Sequence, residues 1–270
     1  MAKTAEKAWN MVRRILKQYF IKTRRLVFAA LFMMFLIAGL IAAVHIAYVQ
    51  IRYMQARQEY DSLRQHTPVT VLPSSSSFGQ PLDIATTEDS KPLPDLSAMN
   101  PDYIGWICIE GTEIDYPVVR GQDNERYLST TFTGEKNPSG TIFMDYRCIE
   151  EFDCYATILY GHNMQDGSMF SGLSRYLDNG YLEQHSEVLV VTTDGDKQIY
   201  RILAVQVTDV NDTAYTLFDQ VQDQNANKGY LSPVGISAHT EQLLILSTCT
   251  DSGNKNKRLL VLAAREDAKE

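Results

Sequence analysis

Leu243-Leu244-Ile245-Leu246-Ser247-Thr248-Cys249 is followed, after eight small or polar residues, by Arg258-Leu259-Leu260-Val261-Leu262-Ala263-Ala264. Two apolar runs this short, separated by residues that favour a turn, read as buried strands rather than as helices. Joined as an antiparallel hairpin, they place Cys249 and Arg258 opposite each other across the hairpin's open end. Arg265 is the competing cation. Its spacing of seven from Arg258 puts it on the other strand face and at the far end.

Working outward, six further stretches carry the same signature: 104–109, 114–119, 140–144, 156–160, 187–192 and 198–207. Turn residues separate them, among them Glu110-Gly111, Asn137-Pro138-Ser139-Gly140 and Asp194-Gly195-Asp196, the last an apt hairpin connection. Residues 168–179 have helical spacing at Met169, Leu173, Tyr176 and Leu177, and the polar stretch 209–227 reads as a partly helical insertion. Eight strands with few helices predict a mainly β fold, a closed eight-stranded barrel with helical insertions.

Upstream, residues 26–44 run for 19 positions without a charge, and apolar character resumes from Ile46 to Val49. At 1.5 Å per residue that matches a hydrocarbon core of about 30 Å. A cleavable signal peptide is the alternative, but its apolar region should be shorter and end at a small-residue site. The chain carries a net charge of −8, unevenly spread. Eight Lys/Arg and a single acid, Glu6, lie in residues 1–50, whereas the rest holds 17 basic and 32 acidic residues. Basic flanks stay in the cytoplasm, so the acidic body is expected outside the cell. Trp9, Val12, Leu16, Tyr19 and Phe20 alternate with basic residues, a spacing that suits either a headgroup-bound helix or an ordinary basic flank. So acidic a body excludes nucleic acid as a partner. The expected layout is a basic cytoplasmic segment (1–25), a transmembrane helix in the lipid bilayer (26–49), a stalk and Pro/Ser-rich linker (50–98) and a folded domain (99–270).

Three residues suggest chemistry. Cys249 ends a buried strand, a rigid place from which to present a thiolate nucleophile. Arg258 can stabilise a thiolate or a developing oxyanion. His162, in Tyr160-Gly161-His162-Asn163, follows a strand and can act as acid and base. Each taken singly is more often structural: a cysteine at a strand end is commonly buried and inert, a histidine there a packing residue, an arginine a solvated charge. Of the four cysteines, Cys148 and Cys154 are the best placed to pair and Cys108 reads as a small buried hydrophobe. His185 and His239 have no supporting context. No ligand-type residues show metal spacing, so neither a metal nor a cofactor is expected.

Together these residues have a specific likeness. The stretch 100–265 resembles the class B sortases, cysteine transpeptidases of Gram-positive bacteria. The likeness rests on Asn100-Pro101-Asp102-Tyr103-Ile104-Gly105-Trp106-Ile107, Ile114-Asp115-Tyr116-Pro117-Val118-Val119, Asp123-Asn124 with Tyr127-Leu128, Tyr160-Gly161-His162-Asn163-Met164, Asp166-Gly167-Ser168-Met169-Phe170 and Leu246-Ser247-Thr248-Cys249 with Arg258. The family's Thr-Leu-x-Thr-Cys box reads Ile245-Leu246-Ser247-Thr248-Cys249 here, so its first Thr is Ile. The resemblance implies His162, Cys249 and Arg258 as the catalytic residues. It implies a substrate groove using Asn124, Leu128, Ser247 and Thr248, and a helix-bearing insertion over 209–227 in which Tyr215 is a possible contact. The implied activity is cleavage of a C-terminal sorting motif after Thr, through a thioester on Cys249, and transfer of the exported protein to a peptidoglycan amine. The alternatives are a pilin-polymerising sortase, whose accepting amine is a Lys side chain, a secreted cysteine peptidase that uses water, and a tethered binding module without catalysis.

Overall fold

The computed structural model describes residues 2–65, 67, 96–220, 242–250, 254 and 256–266. Among them, eight strands close into a barrel: β1 (Tyr103–Ile109), β2 (Asp115–Val119), β3 (Ile142–Met144), β4 (Ala156–Tyr160), β5 (Glu187–Thr192), β6 (Lys197–Asp209), β7 (Leu243–Cys249) and β8 (Lys257–Arg265). They are ordered β1-β2-β3-β4-β7-β8-β6-β5 around it. Closure removes the free edges that an open sheet of such apolar strands would expose. Two of the contacts, β2 with β3 and β4 with β7, are parallel; the rest are antiparallel. All eight expected strands are present.

Alternation along each strand sorts the side chains into two cores. Leu244, Leu246, Leu259, Val261 and Ala263 point inward with Ile107, Val118 and Val190. Ala156, Ile158, Leu243, Ile245, Leu260 and Leu262 make an outer core, covered by Ala214 and Tyr215. Both faces of β4, β7 and β8 are therefore buried, which is why these strands read as unbroken apolar runs.

Two elements differ in detail from the sequence pattern. Over 168–179 the chain forms a 3₁₀ helix, Phe170–Leu177. Phe170, Leu173 and Tyr176 are buried and recur every three residues, the 3₁₀ period, whereas Leu177 is exposed. In the insertion, Thr213–Gln220 is likewise 3₁₀. The remainder of that insertion, His239, most of the linker, and Ser252 and Gly253 of the β7–β8 turn lie outside the described residues.

A long helix, α1 (Ala2–Arg64), contains the apolar run and is long and apolar enough to cross a membrane. The chain divides into two compact units, Met1–Arg52 and Tyr53–Glu270. The second unit therefore includes part of the stretch read as a stalk. Ala56, Tyr60 and Leu63 are buried in the barrel's core cluster. The Tyr60 hydroxyl lies 3.1 Å from Thr141 Oγ1 and donates to the Gly140 carbonyl at 2.5 Å. Arg64 donates to the Asp115 and Glu113 carbonyls and lies over the Tyr116 ring. Cys148 and Cys154 are joined in a disulfide, and Cys108 is a half-buried free thiol that burial, with Asp115 and Glu110 nearby, pushes up to about 12.

Candidate active site

β7 and β8 pair in the register anticipated from the sequence, with Cys249 directly opposite Arg258. Directly opposed residues of an antiparallel pair point to the same face. That face is the outer one, continuing the row Leu243, Ile245, Ser247, and Cys249 at its end is exposed. Arg258 is half-buried, and its Nη1 donates to the Lys257 carbonyl at 3.0 Å. Arg265 sits at the opposite end of β8, paired with Tyr200 in register and bonded to Gln242, so it is remote from Cys249.

The parallel pairing of β4 with β7 sets Tyr160 beside Ser247, so the chain after β4 emerges beside Cys249. Three hydrogen bonds fasten that segment to the end of β7. Gly161 N–H donates to the Ser247 carbonyl (3.2 Å), Thr248 Oγ1 donates to the Gly161 carbonyl (2.8 Å), and Asn163 Nδ2 donates to the Cys249 carbonyl (3.0 Å). Gly161 has no room for a side chain: a Cβ would come within 2.6 Å of Ile142 and Phe170. His162 Nε2 lies 2.7 Å from the Leu128 carbonyl. A carbonyl only accepts, so Nε2 carries the hydrogen and Nδ1 is the nitrogen left for proton transfer.

The remaining expected residues fall into three environments. Leu128 is exposed beside His162. Ser247 is buried on the outer face, its Oγ 2.9 Å from the Tyr215 hydroxyl. Thr248 is buried on the inner face, opposite in direction to Cys249, and its hydroxyl is the tie to Gly161. Asn124 reaches neither Cys249 nor His162; its Nδ2 donates to Asp145 Oδ2 at 3.0 Å and its Oδ1 accepts from Tyr146 N–H.

Asp145 is the residue the sequence reading passed over. It is fully buried and bonded by the Arg147 guanidinium, the Tyr160 hydroxyl and Asn124. Burial alone would raise its carboxyl, but the Arg147 and Tyr160 hydrogen bonds prevail and hold it below its ordinary value. Burial, and then Asp145 itself, raise the Tyr160 hydroxyl well above the usual range. Tyr160 in turn stacks on Tyr215, with centroids 6.3 Å apart and planes at 10°. One network thus runs from Asn124 through Asp145 and Tyr160 to Tyr215 and Ser247, forming the floor beside Cys249. Its sequence signal was an acid placed directly after the apolar run Ile142-Phe143-Met144.

A model of the Sortase domain matches residues 107–266. The chain belongs to the sortase family. Sortase B of Listeria monocytogenes serovar 1/2a (strain ATCC BAA-679 / EGD-e) is 34% identical over 195 residues, 68% of this chain and 78% of that protein. The Staphylococcus aureus sortase B–substrate complex superposes with a TM-score of 0.62 at 26% identity, covering 81% of this chain and all of that one. A Streptococcus pyogenes class B sortase involved in pilus biogenesis gives 0.57 at 29%, covering 64% and 96%. These relatives make the sortase here a class B enzyme and a cysteine transpeptidase.

Proposed function

We propose that this sortase is a membrane-anchored transpeptidase that joins exported proteins to a peptidoglycan amine. The observation that carries the reading is the fixed end of β7, where Cys249 faces Arg258 and is tied through Asn163 and Gly161 to the segment bearing His162. The Cys249 thiolate adds to the carbonyl carbon of a Thr in a C-terminal sorting motif. Arg258 holds the oxyanion. The C–N bond breaks as His162 Nδ1 gives its proton to the leaving amine, and a thioester remains. The accepting amine then attacks that thioester, His162 takes up its proton, and the C–S bond breaks to restore the thiolate.

In this reading, the sorting-motif peptide lies along the outer face. Leu128 and Ser247 contact it, Asn124 shapes the floor through Asp145, and Thr248 holds the nucleophile strand from behind. Residues 26–49 span the bilayer, with 1–25 cytoplasmic and the barrel outside, supported by the charge asymmetry. The likeness to a pilus-biogenesis sortase supports a second reading, in which the accepting amine is a pilin Lys.

The test incubates the full chain in lipid nanodiscs with a library of quenched sorting-motif peptides, with and without a small amine. Cleavage after Thr with amine-ligated product is expected. Hydrolysis that added amine never diverts would mean a peptidase. Comparing a peptidoglycan-type peptide with a Lys-bearing pilin peptide as acceptor separates the two transfer readings.

A further inference from the structure

Arg147 stands between two parts of the floor beside Cys249. Its Nε and Nη2 grip the two oxygens of buried Asp145 at 2.9 and 2.8 Å, and Nη2 also donates to the Tyr215 carbonyl at 3.2 Å. Asp145 directly follows β3 of the barrel, whereas Tyr215 lies in the insertion between β6 and β7. The stack on Tyr160 and the contact with Ser247 hold the Tyr215 side chain. Arg147 holds its backbone. Only a planar, forked cation can make the paired bonds to a carboxylate and still reach a carbonyl beyond it.

The backbone that carries Arg147 has little regular structure to hold it. β3 is three residues long and pairs with β4 at Phe143 and Met144. Arg147 then sits in a turn closed by the bond from Cys148 N–H to the Asp145 carbonyl (3.0 Å). Two devices fix the far end of that turn. Arg120 donates to the Cys148 and Ile149 carbonyls at 3.0 and 3.1 Å. The disulfide joins Cys148 to Cys154, six positions on and two residues before β4 begins. Between the two cysteines Phe152 alone is buried, and Ile149 is 77% exposed. A covalent bond thus does much of what a packed core does elsewhere, and closing a loop in this way restricts the residues that flank it.

We propose that Arg147 is a positioning residue for the substrate groove, and that the Cys148–Cys154 disulfide clamps it, so that reducing this disulfide loosens the insertion and weakens sorting-motif peptide binding. The inference rests on the groove assigned under the proposed function. The reductant is a dithiol. Its two electrons and two protons turn the disulfide into two thiols, and the dithiol leaves as its own disulfide. Freed from Cys154, the turn no longer fixes Arg147, and the Tyr215 backbone loses its tie to Asp145. The effect falls on binding because Arg147 touches neither Cys249, His162 nor Arg258 in these bonds. Access separates the two sulfur chemistries of the chain. Cys249 is exposed and works as a thiolate, whereas Cys148 is 1% exposed and works as a disulfide.

The test compares the full chain in nanodiscs with its disulfide intact and after reduction by dithiothreitol. Alkylation in denaturant followed by mass spectrometry verifies the two states, with Cys108 and Cys249 labelled in the first and all four cysteines in the second. Reduction should raise KM for a sorting-motif peptide about tenfold and change kcat less than about twofold. Arg147→Lys keeps a cation beside Asp145 but loses the fork. It should raise KM as far, and reducing it should add nothing further. Cys148→Ala with Cys154→Ala should match the reduced parent and ignore dithiothreitol. Hydrogen exchange at Ala214 and Tyr215, whose N–H groups bond to Asp212, should quicken when the parent is reduced. Unchanged exchange there, a KM that stays parental, or equal effects of reduction on parent and Arg147→Lys would each overturn the proposal. The reduced parent carries the test should a variant fail to fold. Exchange needs no turnover, so a chain that cleaves no peptide would sink the transpeptidase reading while the clamp is still decided.

Discussion

Replacing Thr248 by Val tests whether the tie between the two halves of the site matters. The side chains have nearly the same shape, so the inner core keeps its packing while the 2.8 Å bond to the Gly161 carbonyl is lost. Losing a buried hydrogen bond and stranding its acceptor costs about 1–3 kcal/mol. For a domain of this size, each kcal/mol lowers the melting temperature by about 2–4 °C. The effect on activity should exceed the effect on stability. Gly161 directly precedes His162, so release of its carbonyl shifts the imidazole relative to Cys249. A displacement of about 1 Å at a reacting group can cost roughly a hundredfold in rate. The assay is sorting-motif cleavage by the full chain, alongside thermal melting and the rate of Cys249 alkylation. Thr248→Val should lower kcat by about ten- to a hundredfold with KM little changed, and Thr248→Ser, which keeps the hydroxyl, should restore most of it. Parental turnover in Thr248→Val would refute the reasoning.

Other consequences follow from the same geometry. Cys249→Ala should abolish cleavage, and Arg258→Lys, which keeps the charge but loses the planar fork, should lower kcat by about a hundredfold or more, read by quenched-peptide kinetics. Leu63→Ala, at a site 1% exposed, should cost about 2–5 kcal/mol in denaturant unfolding; an unchanged midpoint would mean that this end of α1 is not part of the barrel unit. Asp145→Asn should be destabilising at neutral pH. Because the folded carboxyl titrates below its ordinary value of 3.8, its contribution is present above that pH and lost as the pH falls through the folded value. The gap between parent and variant should therefore close in acid below about pH 3.8, and a gap that persists there would contradict the assigned network.

The barrel was legible because its strands announce themselves twice, by apolar runs and by the turn residues between them. Cys249 and Arg258 were legible for a stricter reason: a hairpin's register follows from counting once both strands are identified. The segment 53–64 was not legible as core. Ala56, Tyr60 and Leu63 recur at three- to four-residue spacing within a polar helix, a pattern equally suited to a stalk, and the hydrogen-bond partners of Tyr60 lie about 80 residues away at Gly140 and Thr141. The role of Asp145 was hidden for the same cause. Its partners Asn124 and Tyr160 are brought to it only by barrel closure. Thr248 was read as a groove residue from the motif, but strand parity turns its side chain inward and makes it a brace.

The central claim is that Cys249 carries the acyl group. The most direct measurement is intact-mass and peptide-mapping mass spectrometry of the full chain, quenched in acid during turnover of a sorting-motif peptide without amine. The account predicts a hydroxylamine-sensitive adduct, equal in mass to the acyl fragment ending in Thr and mapped to Cys249. It also predicts that the adduct accumulates in His162→Ala less than in the parent. Turnover with no adduct on Cys249, or an adduct mapped to Cys108, would contradict it.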